Sequence, residues 1–197
     1  MNISFTKLSA SILASTMLVA VPALAGSHDT PAAANTMVGG AEMLPERNIV
    51  ENAAESADHT TLVAAVQAAG LAETLSGEGP FTVFAPTNAA FEALPAGTVE
   101  SLLEPANLET LQTILTCHVL PMEAFSPAVG DLIAAGNGSA ELETIGGCTL
   151  TASIRESDNA LLITDENGTE AVVNIPDVDQ SNGVIHVIDA VLTPAAS

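Results

Sequence analysis

Positive charge is what this chain lacks most. Its 197 residues hold 24 Asp and Glu against 3 Lys and Arg, a formal net charge of −21. Lys7 is the single lysine, so Arg47 and Arg155 are the only strong cations after it. A nucleic-acid backbone is gripped by Lys and Arg that displace its counterions, and an anionic membrane surface attracts the same residues. Neither partner suits this chain. The acid reads as a solvated surface whose self-repulsion opposes association, so a monomer is expected.

The motifs of catalysis are missing as well. There is no G-x-S-x-G elbow, no P-loop, no G-x-G-x-x-G, no H-E-x-x-H and no C-x-x-C. The four histidines, His28, His59, His118 and His186, stand at no metal-ligand spacing, so a zinc site from His118, His186 and a carboxylate is not expected. "DVDQSNG", Asp177 to Gly183, invites a calcium-loop reading, but that pattern wants Gly at the sixth position and Glu at the twelfth. Asn182 and Ile188 stand there instead. No enzyme and no cofactor are expected.

What is present begins with an export signal. Lys7 precedes an apolar run from Leu8 to Leu24, and Ala23–Leu24–Ala25 is a small-x-small cleavage site, so residues 1–25 read as a secretory signal peptide. Polar breaks and the lack of following stop-transfer charges argue against a membrane anchor, and no later run is long enough to span a bilayer. The mature chain is then periplasmic or secreted. Residues 26–45 are small, polar, rich in Pro and Gly and aperiodic, and read as a flexible linker. Residues 46–195 are left for one domain without internal repeats.

Within that domain the periodicity changes partway. Thr60 and Thr61 are placed to cap a helix over "LVAAVQAAG", and Asn107 to cap a second one carrying Leu108, Leu111, Ile114 and Leu115. Further on, "ELETIGGCTLTASIR" and "ALLITDENGTEAVVNI" each read as a hairpin, turning at Gly146–Gly147 and Asn167–Gly168. "GVIHVIDAVL" is apolar on both faces, as a buried central strand would be. Helices first and hairpins second give an α+β fold.

One stretch, "TVFAPTNAAF" from Thr82 to Phe91, changes from strand to helix within about two residues. Pro86 cannot donate to a sheet ladder and Thr87 is a good helix N-cap. Without a nucleophile or phosphate motif the junction is neither a hydrolase turn nor a phosphate cradle.

Four segments together carry a family resemblance. "FTVFAPTNAAFEALP", which includes Thr82, Phe84, Pro86, Thr87, Asn88 and Phe91, resembles the first signature box of fasciclin domains. "SNGVIHVIDAVLTP", with Asn182, Gly183 and His186, resembles the second box. "LTCHVLP" is similar to the family's central Tyr-His segment, and "NIVENAAESADHTTLVAAVQAAGL" to its opening helices. The resemblance spans residues 46–195 and implies helices packed on a β-wedge rich in antiparallel strands. It also implies that the two boxes lie side by side and that the domain serves adhesion rather than turnover.

The resemblance also offers contact residues. Animal matrix members carry an integrin-linked Pro-Asp-Ile motif before the second box; here it is Pro176–Asp177–Val178. The Tyr-His segment has a similar adhesive role, and here His118 survives while Cys117 replaces the Tyr. Both histidines are flanked by apolar residues, which favours structural roles for them. Cys117 and Cys148 are either joined, as two cysteines in an exported chain suggest, or two buried thiols; a bond is expected. The expected function is an adhesion module contacting protein or polysaccharide at the cell surface. The competing reading is a carrier that holds a small apolar ligand or a cation between helices and sheet.

Overall fold

The computed structural model describes residues 35–95 and 97–195. The signal peptide and most of the linker expected from the sequence lie outside them. The part of the linker that falls inside is ordered differently from expectation. β1 (Met37–Val38) and β2 (Ala41–Glu42) form a hairpin around Gly39–Gly40, both at positive φ. Val38 and Met43 are buried in the core, and the Ala57 N–H donates to the Gly39 carbonyl at 3.2 Å. A side chain at Gly39 would overlap the Ser56 hydroxyl, so a composition that looks like linker here serves a close approach. Regular structure is thus present from Met37.

The helices of the first half are α1 (Ile49–Glu55), α2 (Thr60–Ala68), α3 (Ala72–Leu75), α4 (Asn88–Glu92), α5 (Thr98–Leu102) and α6 (Leu108–Cys117), with α7 (Ser126–Ala135) further on. α1 starts in a capping box: Asn48 Oδ1 accepts the Glu51 N–H at 2.9 Å and Glu51 accepts the Asn48 N–H at 3.1 Å. The two caps expected elsewhere are corrected. Thr60 and Thr61 do not cap α2 with their own side chains; Asn88 supplies the oxygen, accepting the Thr61 N–H at 3.0 Å. Asn107 does not cap α6 but donates back to the Ser101 carbonyl at 2.7 Å, because the preceding 3-10 turn sets it in a non-extended conformation.

The strands are β3 (Phe81–Pro86), β4 (Val119–Leu120), β5 (Ser139–Glu143), β6 (Thr149–Arg155), β7 (Ala160–Thr164), β8 (Glu170–Gln180) and β9 (Gly183–Ile188). They form one sheet in the order β4-β3-β9-β8-β7-β6-β5. Every neighbouring pair is antiparallel except β3 with β9, which run parallel from Phe81 opposite Gly183 to Pro86 opposite Ile188. Both expected hairpins form, with Gly147 and Gly168 at positive φ in their turns. β9 is buried along its whole length, and Gly183 must be glycine because a Cβ would run into the Phe81 carbonyl. β8 is shared by both halves of the sheet and bends at register shifts between Val173 and Val178, which opens the sheet into a wedge.

Two apolar cores lie on the two sides of this wedge. One joins the helices to β3 and β9 through Ile49, Leu62, Leu75, Val83, Phe91, Leu115 and Ile185. The other joins α7 to the remaining strands through Phe84, Val129, Ile133, Leu150, Ile163 and Leu192. Adjacent strand residues face opposite sides, so Val83 and Phe84 enter different cores. At the narrow end the outer edge of β4 meets the β5–β6 turn: the Ile145 N–H donates to the Val119 carbonyl at 2.8 Å. Cys117 and Cys148 are joined beside this contact, with Cα atoms 5.4 Å apart.

Candidate functional site

The strand-to-helix junction resolves into a set of ties rather than a pocket. Thr87 Oγ1 accepts the Ala90 N–H at 3.3 Å and caps α4, while the Thr87 N–H donates to Ile188 O of β9. Phe84 and Phe91, 1% and 8% exposed, anchor the strand and the following helix, but in different cores. Each box also lends an asparagine to distant backbone. Asn88 accepts from Thr61 of α2 and donates to the Ala57 carbonyl at 2.9 Å. Asn182 accepts the Ile49 N–H at 3.0 Å, at the start of α1, and donates to the carbonyls of Leu75 and Gly77. The amide has donor and acceptor on one short arm, which is why asparagine can satisfy a helix start and a turn end together.

A second network surrounds the Pro176–Asp177–Val178 motif. It sits inside β8, at the bend. Pro176 is exposed and Val178 is buried. Asp177 has φ 57°, which turns its carboxylate onto the start of α7, where it accepts the Ser126 N–H at 2.6 Å and the Ser126 hydroxyl. Its own N–H donates to His186 Nδ1 at 3.3 Å, so His186 carries its proton on Nε2 and donates it to Ala124 O at 2.7 Å. Phe84 stacks on that imidazole with ring centroids 5.7 Å apart. Thr82 completes the set, donating to Met122 O at 2.7 Å and accepting the Ala124 N–H at 2.8 Å.

His118 is corrected from a contact residue to a buried one. It is 3% exposed; Nδ1 donates to Ile114 O at 2.8 Å and Nε2 accepts the Leu192 N–H at 2.9 Å. Burial pushes its pKa down to about 4, against smaller upward pulls from the Ile114 carbonyl and Asp165. His186 is lowered in the same direction, again by burial first. Neither nitrogen pair is free for a ligand or for proton transfer. Of the motif residues, Pro176 alone is exposed; Asp177 is half-buried and committed to α7.

Sequence reasoning missed Asp165. Its carboxylate accepts N–H groups from Asn167, Thr169 and Thr193 at 2.8–2.9 Å, closing the β7–β8 turn onto the C-terminal segment. Burial alone would raise its pKa, but the bonds from Thr193 and Thr169 hold it below the usual carboxylate value. The Asp-x-Asn-Gly spacing was a readable signal of an Asx turn; the reach to Thr193 was not.

Three cavities matter for function. Between helices and sheet, lined by Ile49, Leu62, Val66, Leu75 and Leu115, is an apolar space of about 30 Å³. That is the scale of one water, far below the several hundred Å³ that small-molecule sites occupy. A polar groove of about 520 Å³ runs along the start of β9 beside Glu78, Glu123 and Asn182. A mixed groove of about 480 Å³ lies between α7 and the strands, with Pro127 and Gly130 on one wall, Ile154, Leu161 and Val173 on the other, and Pro176 beside it. Among the described residues no three His, Cys, Asp or Glu side chains are grouped to hold a metal ion, and no helix is long and apolar enough to cross a membrane.

Helices packed on a wedge of strands and tied by two signature segments define an α+β domain of fasciclin type. The family model for the fasciclin domain matches residues 57–194, and the chain belongs to that family. It is 51% identical over 146 residues to protein sll1483 of Synechocystis, covering 74% of this chain and 73% of that protein. It is 40% identical over 136 residues to transforming growth factor-beta-induced protein ig-h3 of Sus scrofa, covering 69% of this chain and 18% of that one. Among solved structures it matches a FAS1 domain pair from the insect cell adhesion molecule fasciclin I, with TM-score 0.64 and 19% identity over 77% of this chain and 51% of that one. This chain thus spans about half of that pair and corresponds to one module of it. Fasciclin domains are non-catalytic, and this chain is not an enzyme.

Proposed function

We propose that this chain is an exported adhesion module that contacts a protein partner at the cell surface through the groove beside Pro176. The leader read from residues 1–25 would carry it to the periplasm or beyond, and the mature chain would act as a monomer. The observation that carries the reading is the contrast between two spaces: the apolar interior one holds about 30 Å³, while the mixed groove against α7 offers about 480 Å³ open to solvent. A carrier needs the first to be large; an adhesion module needs the second.

A protein partner fits better than polysaccharide. The chain has no Trp and no Tyr, and Phe84 and Phe91 are buried while Phe81 and Phe125 are partly so. Sugar rings stack well on open aromatic faces, and among the described residues no aromatic side chain is more than partly exposed. A groove floored by Leu161, Val173 and Ile154 suits aliphatic side chains of a peptide.

The test is capture of cell-surface proteins and polysaccharides on the immobilised mature chain, beside a Gly130→Leu variant. A Cβ at Gly130 meets no atom within 4 Å, so a side chain there has room to start into the groove, and the melting temperature checks that α7 stays folded. Loss of protein capture with an unchanged melting temperature is expected. Equal capture by the filled variant, or retention of polysaccharide alone, overturns the reading.

A further inference from the structure

We infer that the free edge of β5 is a second contact site, which takes up an extended, lysine- or arginine-bearing segment of a partner protein as an added strand. β5 is the last strand of the sheet and pairs on one side only, with β6. At its turn the Thr144 N–H donates to Cys148 O. The alternation of an antiparallel ladder then directs the backbone of Leu142 and Ala140 at β6 and turns that of Glu143, Glu141 and Ser139 outward. No hydrogen bond to another described residue takes up the amides of these three. The next amide in the same outward series, that of Ile145, is filled by this chain's own β4 through Val119 O at 2.8 Å. The edge is therefore competent to pair, and pairs where the chain provides a strand.

The occupant follows from the side chains. Burial along β5 alternates exposed, buried, exposed, so Ser139, Glu141 and Glu143 present their side chains to solvent on the face away from α7. Ala140 and Leu142 lie beneath, in the core with Val129 and Ile133 of α7. A second copy pairing edge to edge would set Glu against Glu, which opposes self-association through this strand. A strand with basic residues at every second position would set Lys or Arg opposite both carboxylates, with backbone bonds supplying the register. The long-range field of a chain at net charge −21 draws in the same partners. This inference rests on the adhesion reading only in taking the partner to be a protein.

The test uses the mature chain and a labelled ten-residue peptide of alternating Thr and Lys, with a Thr-Glu peptide as control. Binding is followed by fluorescence anisotropy, and amide exchange is followed by NMR. The Lys peptide should bind and slow exchange at Ser139, Glu141 and Glu143, while the Glu peptide does neither. Glu141→Gln with Glu143→Gln should weaken binding about fivefold, the value of two facing charge pairs. Glu141→Pro removes one outward N–H without touching the ladder to β6 and should cost more than Glu141→Gln, about tenfold in affinity, with the fold checked by its melting curve. Glu109→Gln, on α6, should change nothing. Binding that is indifferent to Glu141→Pro, or that leaves exchange at the three amides unaltered, overturns the inference. Gly130→Leu should leave peptide binding intact, so loss of surface capture in that variant and loss of peptide binding here are separate failures.

Discussion

The two cores of this domain are built from different elements. The helical core gathers α1, α2, α3 and α6 from the first 117 residues and closes them on β3 and on the distant β9. The core under α7 joins residues from Phe84 to Leu192. Its approach loop, residues 121–125, has no ladder of its own and is held by side chains: Thr82 on Met122 and Ala124, and His186 on Ala124, while Asp177 holds Ser126 at the start of α7 just beyond. Both cores use buried or half-buried polar groups at fixed positions, Asn52 on Gln180 and Asn182 on Ile49 beside the helices and this set before α7, and those are costly to leave unpaired.

The comparison is broken hardest at Phe84. Phe84→Ala leaves a cavity in the second core and strips the stacking partner from His186, at an expected cost of about 3–5 kcal/mol measured by urea unfolding. A cost below that of Leu62→Ala, which opens the helical core, would mean the second core is the softer of the two. Removing the Cys117–Cys148 bond, by double substitution to alanine, should cost about 3–4 kcal/mol because it frees a loop of 31 residues in the unfolded chain.

Acid should act chiefly through the histidines. The pKa of His118 is lowered in the folded state to about 4, so the folded chain refuses a proton that the unfolded chain accepts. Its contribution is fully present above about pH 6.5 and is lost as pH falls toward 4, an expected loss of about 3 kcal/mol. His186 and His59 are lowered in the same sense and add to it. Asp165, also lowered, loses its contribution only below its unfolded value of 3.8. Unfolding free energy measured from pH 7 to 4 should therefore slope steeply, and His118→Gln should flatten part of that slope. An unchanged slope would sink the assignment. The smallest effect belongs to the junction itself: Thr87→Ala should cost about 1 kcal/mol by removing the α4 cap.

Much of this was legible beforehand because it is local. Gly146–Gly147 and Asn167–Gly168 supply positive φ in short turns, and the unbroken apolar run of β9 fits only a strand covered on both faces. Helix α7 was missed, since Pro127 and Gly130 break the pattern of a ten-residue helix whose apolar positions are few. The hairpin at Val38 and Met43 was hidden in a composition typical of linkers. The caps of α2 and α6 went astray because the local candidate was outcompeted, by Asn88 in one case and by a 3-10 turn in the other.

The sequence by itself determined the acidic character, the lack of catalytic groupings, the α+β order and the two signature segments, because each of these is a matter of composition or of spacing along the chain. Only the tertiary structure decided what the singled-out residues do. His118 became a bridge from α6 to Leu192, Asp177 a cap for α7, and Asn182 a tie between α1 and the turn after α3. Apart from the local bond of His118 to Ile114, each of these joins residues at least 51 positions apart in sequence. A buried donor or acceptor must find whatever partner the packing brings within about 3 Å, and sequence spacing carries no record of that.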